Sequence, residues 1–256
     1  MKNLTHILKE FGFHKRNTLL ATSLCCDEVN RELEHELQES YGDHFAMGGL
    51  AGFPFGGVTA FGDMAHHIPT NGHCIVIFGP HVGIDEDGVI GKVHYRGRLN
   101  SDTCCTSAAA AASYVSCVHK GVCQKKEASI EALDAQQVFV SNMLLPYGAR
   151  LDSACDPAIE LPVALYDAQR ELMNLIIEKG CGEISGLGKI ALLGGIQINT
   201  PAGSPDYFIP ICFELLDNKG NVLTDLSVDI FLDHSDDNMY FLVALALCGF
   251  VLICAY

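Results

Sequence analysis

The sequence predicts an α/β sandwich, with a mostly parallel central sheet flanked by helices. Three observations carry this. Short apolar runs bounded by turn residues, at 17–24 and 74–79, read as buried strands. Longer segments with helical spacing alternate with them, which is the pattern of a parallel sheet covered by helices. Finally, 49% of the 256 residues are apolar, enough for one large core.

In chain order, residues 2–14 pattern as a short amphipathic helix and 17–24 as the first strand, with Cys25 at its end. Over 29–40, Leu33 and Leu37 stand at helical spacing among charges, the mark of a surface helix. Glycines separate Phe53, Phe55 and Phe61 across 48–62, predicting a pliable loop with aromatic side chains. The strand at 74–79 ends at Gly79-Pro80 and is followed by His81. A turn is expected at 85–88 and an extended piece at 91–98. Helices are predicted over 103–122, 129–145 and 157–179, then strands over 189–199 and 206–216 with a turn at 217–220. The expected division is one domain over 1–233 and an apolar tail over 234–256.

Composition narrows the partners. A formal net charge of −15 disfavours nucleic acid and anionic membrane surfaces. Residues 239–256 carry no charge; as a helix they would reach roughly 27 Å, barely a bilayer's hydrocarbon thickness. That tail reads either as a core or interface helix or as a membrane contact. Charges at Lys2, Lys9, Glu10, Lys15 and Arg16 leave no signal or transit peptide pattern. The expected setting is therefore intracellular and reducing, cytoplasm or plastid stroma. Most of the twelve cysteines would then act as small buried apolar residues.

The chemistry concentrates in two cysteine pairs, Cys25-Cys26 and Cys104-Cys105, with His81 between them. Two thiolates and one imidazole at the ends of adjacent elements suit a zinc ion that keeps one open position. Sites of parallel α/β sheets lie beyond the carboxyl ends of strands, where Cys25 and His81 both fall. In extended chain Cys25 and Asp27 point to the same side, which favours Cys25 over Cys26. Cys104 and Cys105 remain alternatives, the latter preferred, and His73 is the rival to His81. Such a centre points to metal-assisted hydration or hydrolysis, with Asp27 orienting the reacting water and an arginine (Arg31, Arg96 or Arg98) holding Asp27 off the metal. Phe53, Phe55 and Phe61 are candidates for a dry wall, or else ordinary core. His66, His67, His73 and His94 are weak candidates for proton relay. Gly186-Leu187-Gly188 precedes a strand and fails the dinucleotide pattern; no P-loop, HExxH or GxSxG is present.

Three stretches, 24–31 (LCCDEVNR), 48–59 (GGLAGFPFGGVT) and 78–83 (FGPHVG), resemble the limiting-CO2-inducible B/C family. The resemblance implies a fold similar to β-carbonic anhydrases, usually dimeric, with zinc on Cys25, His81 and Cys105 and Asp27 beside it. It implies reversible hydration of CO2 to bicarbonate, by a homodimer or a heteromer with a family paralogue. β-Carbonic anhydrases typically carry Cys-x-Asp-x-Arg; here Val29 fills the last position, so the arginine, Arg31 or Arg98, must come from elsewhere. A catalytically silent zinc-binding relative is the rival expectation. Cys26 and Cys104, beside the ligands, raise the further possibility of redox control.

Overall fold

The structure, a computed structural model, describes residues 2–125 and 133–232. The apolar tail expected at 234–256, including the membrane contact considered for 239–256, lies outside the described residues, as does the start of the helix expected from 129. Among the described residues no helix is long and apolar enough to cross a membrane.

A seven-stranded sheet forms the middle layer. Strand β1 (Thr18–Ser23) runs parallel to both β2 (His44–Ala46) and β3 (His73–Phe78). β3 pairs in parallel with β7 (Lys189–Asn199), and the short β4 (His81–Gly83) pairs with the far end of the same strand. Beyond it β8 (Tyr207–Asp217) and β9 (Val222–Asp225) add two antiparallel strands. Every residue of β1 and β3 is buried, including the polar Thr18, Thr22, Ser23 and His73, as strands in a doubly covered parallel sheet should be.

Strand periodicity divides the core between two faces. On one, Leu20, Ile75, Ile77, Leu193 and Phe213 pack against α1 (Lys2–Glu10), α2 (Arg31–Tyr41) and α8 (Asp229–Leu232). On the other, Leu19, Ala21, Val76, Phe78 and Leu192 meet α3 (Gly57–His67) and α7 (Pro157–Gly180). A third cluster lies past β1: α4 (Thr106–His119), α5 (Ala135–Leu144) and α6 (Gly148–Ser153) pack with α7 around Cys25, Phe53 and Cys105. A two-strand ribbon, β5 (Lys92–Val93) and β6 (Asp102–Thr103), precedes α4.

Several boundaries differ from the sequence expectations. The glycine-rich stretch is not all loop: from Gly57 it is helix α3, because Phe61, Ala65 and Ile68 repeat at helical spacing and all pack in the core. Gly62 lies on its open side, where a Cβ would meet nothing, so this glycine does not disrupt packing. The strand expected to stop before His81 breaks and resumes. At Gly79 a Cβ would fall 1.8 Å from the Gly195 carbonyl oxygen, and Pro80 has no N–H, so β3 ends there and β4 begins at His81. The extended piece expected over 91–98 is strand only at β5. Strands β2 and β9 and helix α6 went unpredicted. Five of the eight free cysteines among the described residues are buried, while Cys117 and Cys123 are joined as a disulfide at the end of α4.

Candidate metal centre

Three segments converge where the parallel strands end. Cys25 follows β1, and its loop is pinned by the glycine-rich segment: Ser23 Oγ donates to the Gly52 carbonyl at 2.8 Å and the Cys26 N–H to that of Gly49 at 3.1 Å. Gly52 sits at φ +83°, and a Cβ there would lie 2.6 Å from the Gly79 carbonyl oxygen, so only glycine permits this approach. Neighbouring Ala51 also has positive φ, 54°, and its carbonyl accepts from the buried Gln169 Nε2 at 2.7 Å. His81 opens β4. Cys105 caps the N-terminus of α4 in a left-handed conformation, φ 54°, which is uncommon for a non-glycine residue and characteristic of built sites.

The ligating atoms of Cys25, His81 and Cys105 all lie within 4.8 Å of one another, and each residue is only 4% exposed. The two sulfurs are 4.0 Å apart. Two Zn–S bonds of about 2.3 Å at a tetrahedral angle would separate sulfurs by roughly 3.8 Å, so the pair is spaced for one zinc ion. His81 Nδ1 is 2.9 Å from Asn199 Oδ1, while Nε2 is buried and has no hydrogen-bond partner. A buried nitrogen without a hydrogen-bond partner beside two thiols is suited to a cation, since such an atom left unsatisfied costs about 1–3 kcal/mol. The donor set fits zinc, and three protein ligands leave a fourth position open.

The same geometry separates the alternatives within each pair. Cys26 is exposed and is not one of the three clustered residues. Cys104 is buried, but its Sγ lies 3.4 Å from His81 Nδ1, the nitrogen already turned toward Asn199, and it is outside the three-residue cluster. His73 packs at a tilt against Phe13 and accepts the Lys189 N–H at 3.1 Å, outside the three-residue cluster.

The electrostatics are those of a site awaiting a positive charge. The hydrogen bond from Cys105 holds the Cys25 thiol well below its ordinary pKa against the penalty of burial, with the His81 imidazole and the Asp27 N–H assisting. Burial pulls His81 down, but the sulfurs of Cys104 and Cys25 outweigh it and hold the imidazole well above its ordinary value.

Asp27 stands outside the cluster of ligating atoms. Its Oδ2 accepts from Tyr95 Oη at 2.9 Å and its Oδ1 from the Val29 N–H at 3.4 Å. None of the arginines proposed for it is its partner. Arg31 pairs with Glu34 and donates to the Cys25 carbonyl at 2.9 Å, because α2 places Glu34 one turn along on the same face. Arg96 and Arg98 lie exposed on the β5–β6 connection. Phe53 and Phe55 pack beside Cys25 and Cys105, together with Phe139 of α5, at ring-centroid distances of 5.8 and 4.9 Å. Phe61 is not brought to the centre; it is buried between α3 and α7 in a different cluster. Sequence reasoning missed Tyr95, Phe139 and Asn199. Nothing local marks them, since they join the site from 68, 86 and 118 residues away from Asp27, Phe53 and His81.

Residues 1–217 match the family model described as limiting CO2-inducible proteins B/C β-carbonic anhydrases. Among solved structures, the chain is similar to PtLCIB4, a homolog of the limiting CO2-inducible protein LCIB. The identity is 48% and the TM-score 0.82, over 88% of this chain and 93% of that one. It is also similar to LCIB itself, at 21% identity and TM-score 0.66, over 88% and 90% of the two chains. No curated protein gives a significant match.

Proposed function

The chain belongs to the family of limiting CO2-inducible proteins B/C β-carbonic anhydrases, and from that premise we propose that it is a zinc-dependent enzyme interconverting CO2 and bicarbonate. The observation that carries this reading is the buried Cys25–His81–Cys105 cluster with an unpartnered His81 Nε2 and with Asp27 outside it. A zinc ion held by these three residues would supply a Lewis acid, lowering the pKa of a water in the open position from about 16 to about 7.

The chain's own residues do the rest. Asp27, outside the ligand set, accepts a hydrogen bond from the reacting water and turns its lone pair toward the substrate carbon. Tyr95 holds Asp27 by its second oxygen, in the place an arginine takes in the Cys-x-Asp-x-Arg pattern. Phe53, Phe55 and Phe139 supply the apolar wall against which CO2 is held. The active unit in this reading is a homodimer.

One observation favours the rival, a silent zinc-binding subunit that holds inorganic carbon or serves as a scaffold: Arg31 is engaged by Glu34, and among the described residues Asp27 has no cationic partner. Stopped-flow CO2 hydration on the purified full chain, with zinc determined on the same sample, tests between them. Activity that disappears with zinc in Cys25→Ala supports the enzyme. Stoichiometric zinc without activity overturns it in favour of the silent subunit, and absence of zinc overturns both.

A further inference from the structure

The buried amide of Asn199 touches two of the three ligand-bearing segments of the centre, those of Cys25 and His81. It lies on β7, two residues beyond Gln197, the register partner of His81, and it is 1% exposed. Its Nδ2 donates to the Val29 carbonyl at 3.0 Å and to Asp206 Oδ2 at 3.0 Å. Its Oδ1 faces His81 Nδ1 at 2.9 Å, with Cys104 Sγ at 3.9 Å. Asp206 is itself fixed, since its Oδ1 accepts the Thr200 N–H at 2.8 Å.

This network determines the orientation of the amide. A backbone carbonyl has no proton to give, so the group facing Val29 must be the N–H2 end; a flipped amide would set oxygen against oxygen there. The other end is then an acceptor, and His81 Nδ1 must carry the proton. In a neutral imidazole that leaves the lone pair on Nε2, the atom with no protein partner beside Cys25 and Cys105. Val29 also closes the turn after Asp27, so one side chain ties the histidine strand to the segment carrying Cys25 and Asp27.

We propose that Asn199, braced by Asp206, is the positioning residue that fixes the tautomer and ring orientation of His81 and so sets the affinity of the Cys25–His81–Cys105 centre for zinc. The proposal rests on the reading of that centre as a zinc site and is independent of catalysis. A ligating histidine whose second nitrogen loses its partner typically costs about 10–100-fold in metal affinity.

The test is zinc affinity by chelator competition on the full chain, with 15N spectra of the histidine rings in the zinc-loaded protein. Asn199→Leu is expected to bind zinc about 10–100-fold more weakly and to lose a slowly exchanging Nδ1–H signal from His81. The double variant Asn199→Asp/Asp206→Asn restores an acceptor toward His81 and a donor toward position 199, but sets a carboxylate oxygen against the Val29 carbonyl where the amide donated. It is expected to recover part of the affinity and of the Nδ1–H signal lost in Asn199→Leu, a rescue that general destabilisation does not produce. Asn199→Leu binding zinc as tightly as wild type, or a double variant no better than Asn199→Leu, overturns the role of Asn199 while leaving the zinc site standing. Wild-type protein that takes up no zinc overturns both.

Discussion

Tyr95 Oη donates a 2.9 Å hydrogen bond to Asp27 Oδ2, joining the β5–β6 connection to the loop that follows β1. Burial, reinforced by the Asp27 carboxylate, raises the pKa of the tyrosine, so it stays a proton donor throughout the physiological range. Removing the hydroxyl leaves the aspartate without its side-chain donor. Hydrogen bonds to charged groups contribute about 1.5–3 kcal/mol, so Tyr95→Phe should lower CO2 hydration about 10–100-fold. Zinc content should be unchanged. Measuring turnover and zinc on the same preparation checks this; a drop in both would place Tyr95 in metal binding instead.

The adjacent cysteines should behave very differently on substitution. Cys105 belongs to the three-residue cluster, whereas Cys104 sits against the other nitrogen of His81 and Cys26 is exposed. After dialysis against a mild chelator, Cys105→Ala should retain essentially no zinc, while Cys26→Ser should retain one equivalent. Cys104→Ala should also keep its zinc, because Asn199 still holds His81 Nδ1. Zinc retained in Cys105→Ala and lost in Cys104→Ala would reverse the ligand assignment.

Arg31 and Arg98, equal candidates in the sequence, should separate by stability. Glu34 is 4% exposed, accepts from Thr22 Oγ at 2.8 Å, and is paired with Arg31. Arg31→Ala leaves that carboxylate without its cation. Fully buried pairs lose about 3–5 kcal/mol when one partner is removed. Because Arg31 itself is 39% exposed, water replaces part of the interaction and about 1–3 kcal/mol is expected. Arg98→Ala, at an exposed position, should stay within about 0.5 kcal/mol of wild type. Urea denaturation of the two variants provides the comparison.

The sandwich was legible because its strands are buried on both faces. β3 is apolar after His73 and β1 mixes apolar residues with small polar ones between turn signals, and β7 and β8 were placed to within a residue at each end. The short β2 and β9 escaped, since three or four residues such as His44–Ala46 carry no periodicity of their own. Helix α3 escaped because it begins inside a glycine-rich stretch and carries Gly57 and Gly62 itself, and only the spacing of Phe61, Ala65 and Ile68 betrays it. At the centre, residue type and position at element ends pointed to the segments that converge. The groups that hold those residues were invisible. Tyr95, Asn199 and Glu34 act through contacts made in three dimensions, and an arginine four residues after Asp27 looked like its partner until the helix aimed it at Glu34.

Two histidines, His73 buried and His44 half-buried, should make the protein lose stability in mild acid. Burial lowers the pKa of His44, opposed only in part by Glu34, and Arg31 adds to the lowering. Burial likewise lowers that of His73, with Lys189 and His14 acting in the same direction. His73 also needs its unprotonated Nδ1 to accept the Lys189 N–H that begins β7. Both folded-state values lie below the unfolded value of about 6.5, so the unfolded chain binds more protons in this window. Their stabilisation is complete above about pH 6.5 and is lost as pH falls through the folded-state values, with a slope approaching 1.4 kcal/mol per pH unit for each group. His81, raised in the metal-free protein, contributes with the opposite sign, so the informative quantity is a difference between two proteins that share it. His73→Asn retains an acceptor for the Lys189 N–H and removes the titration. Urea midpoints measured from pH 7.5 to 5 should therefore fall less steeply for His73→Asn than for wild type. Parallel curves would show that His73 takes up its proton as easily folded as unfolded, and would remove it from the acid response.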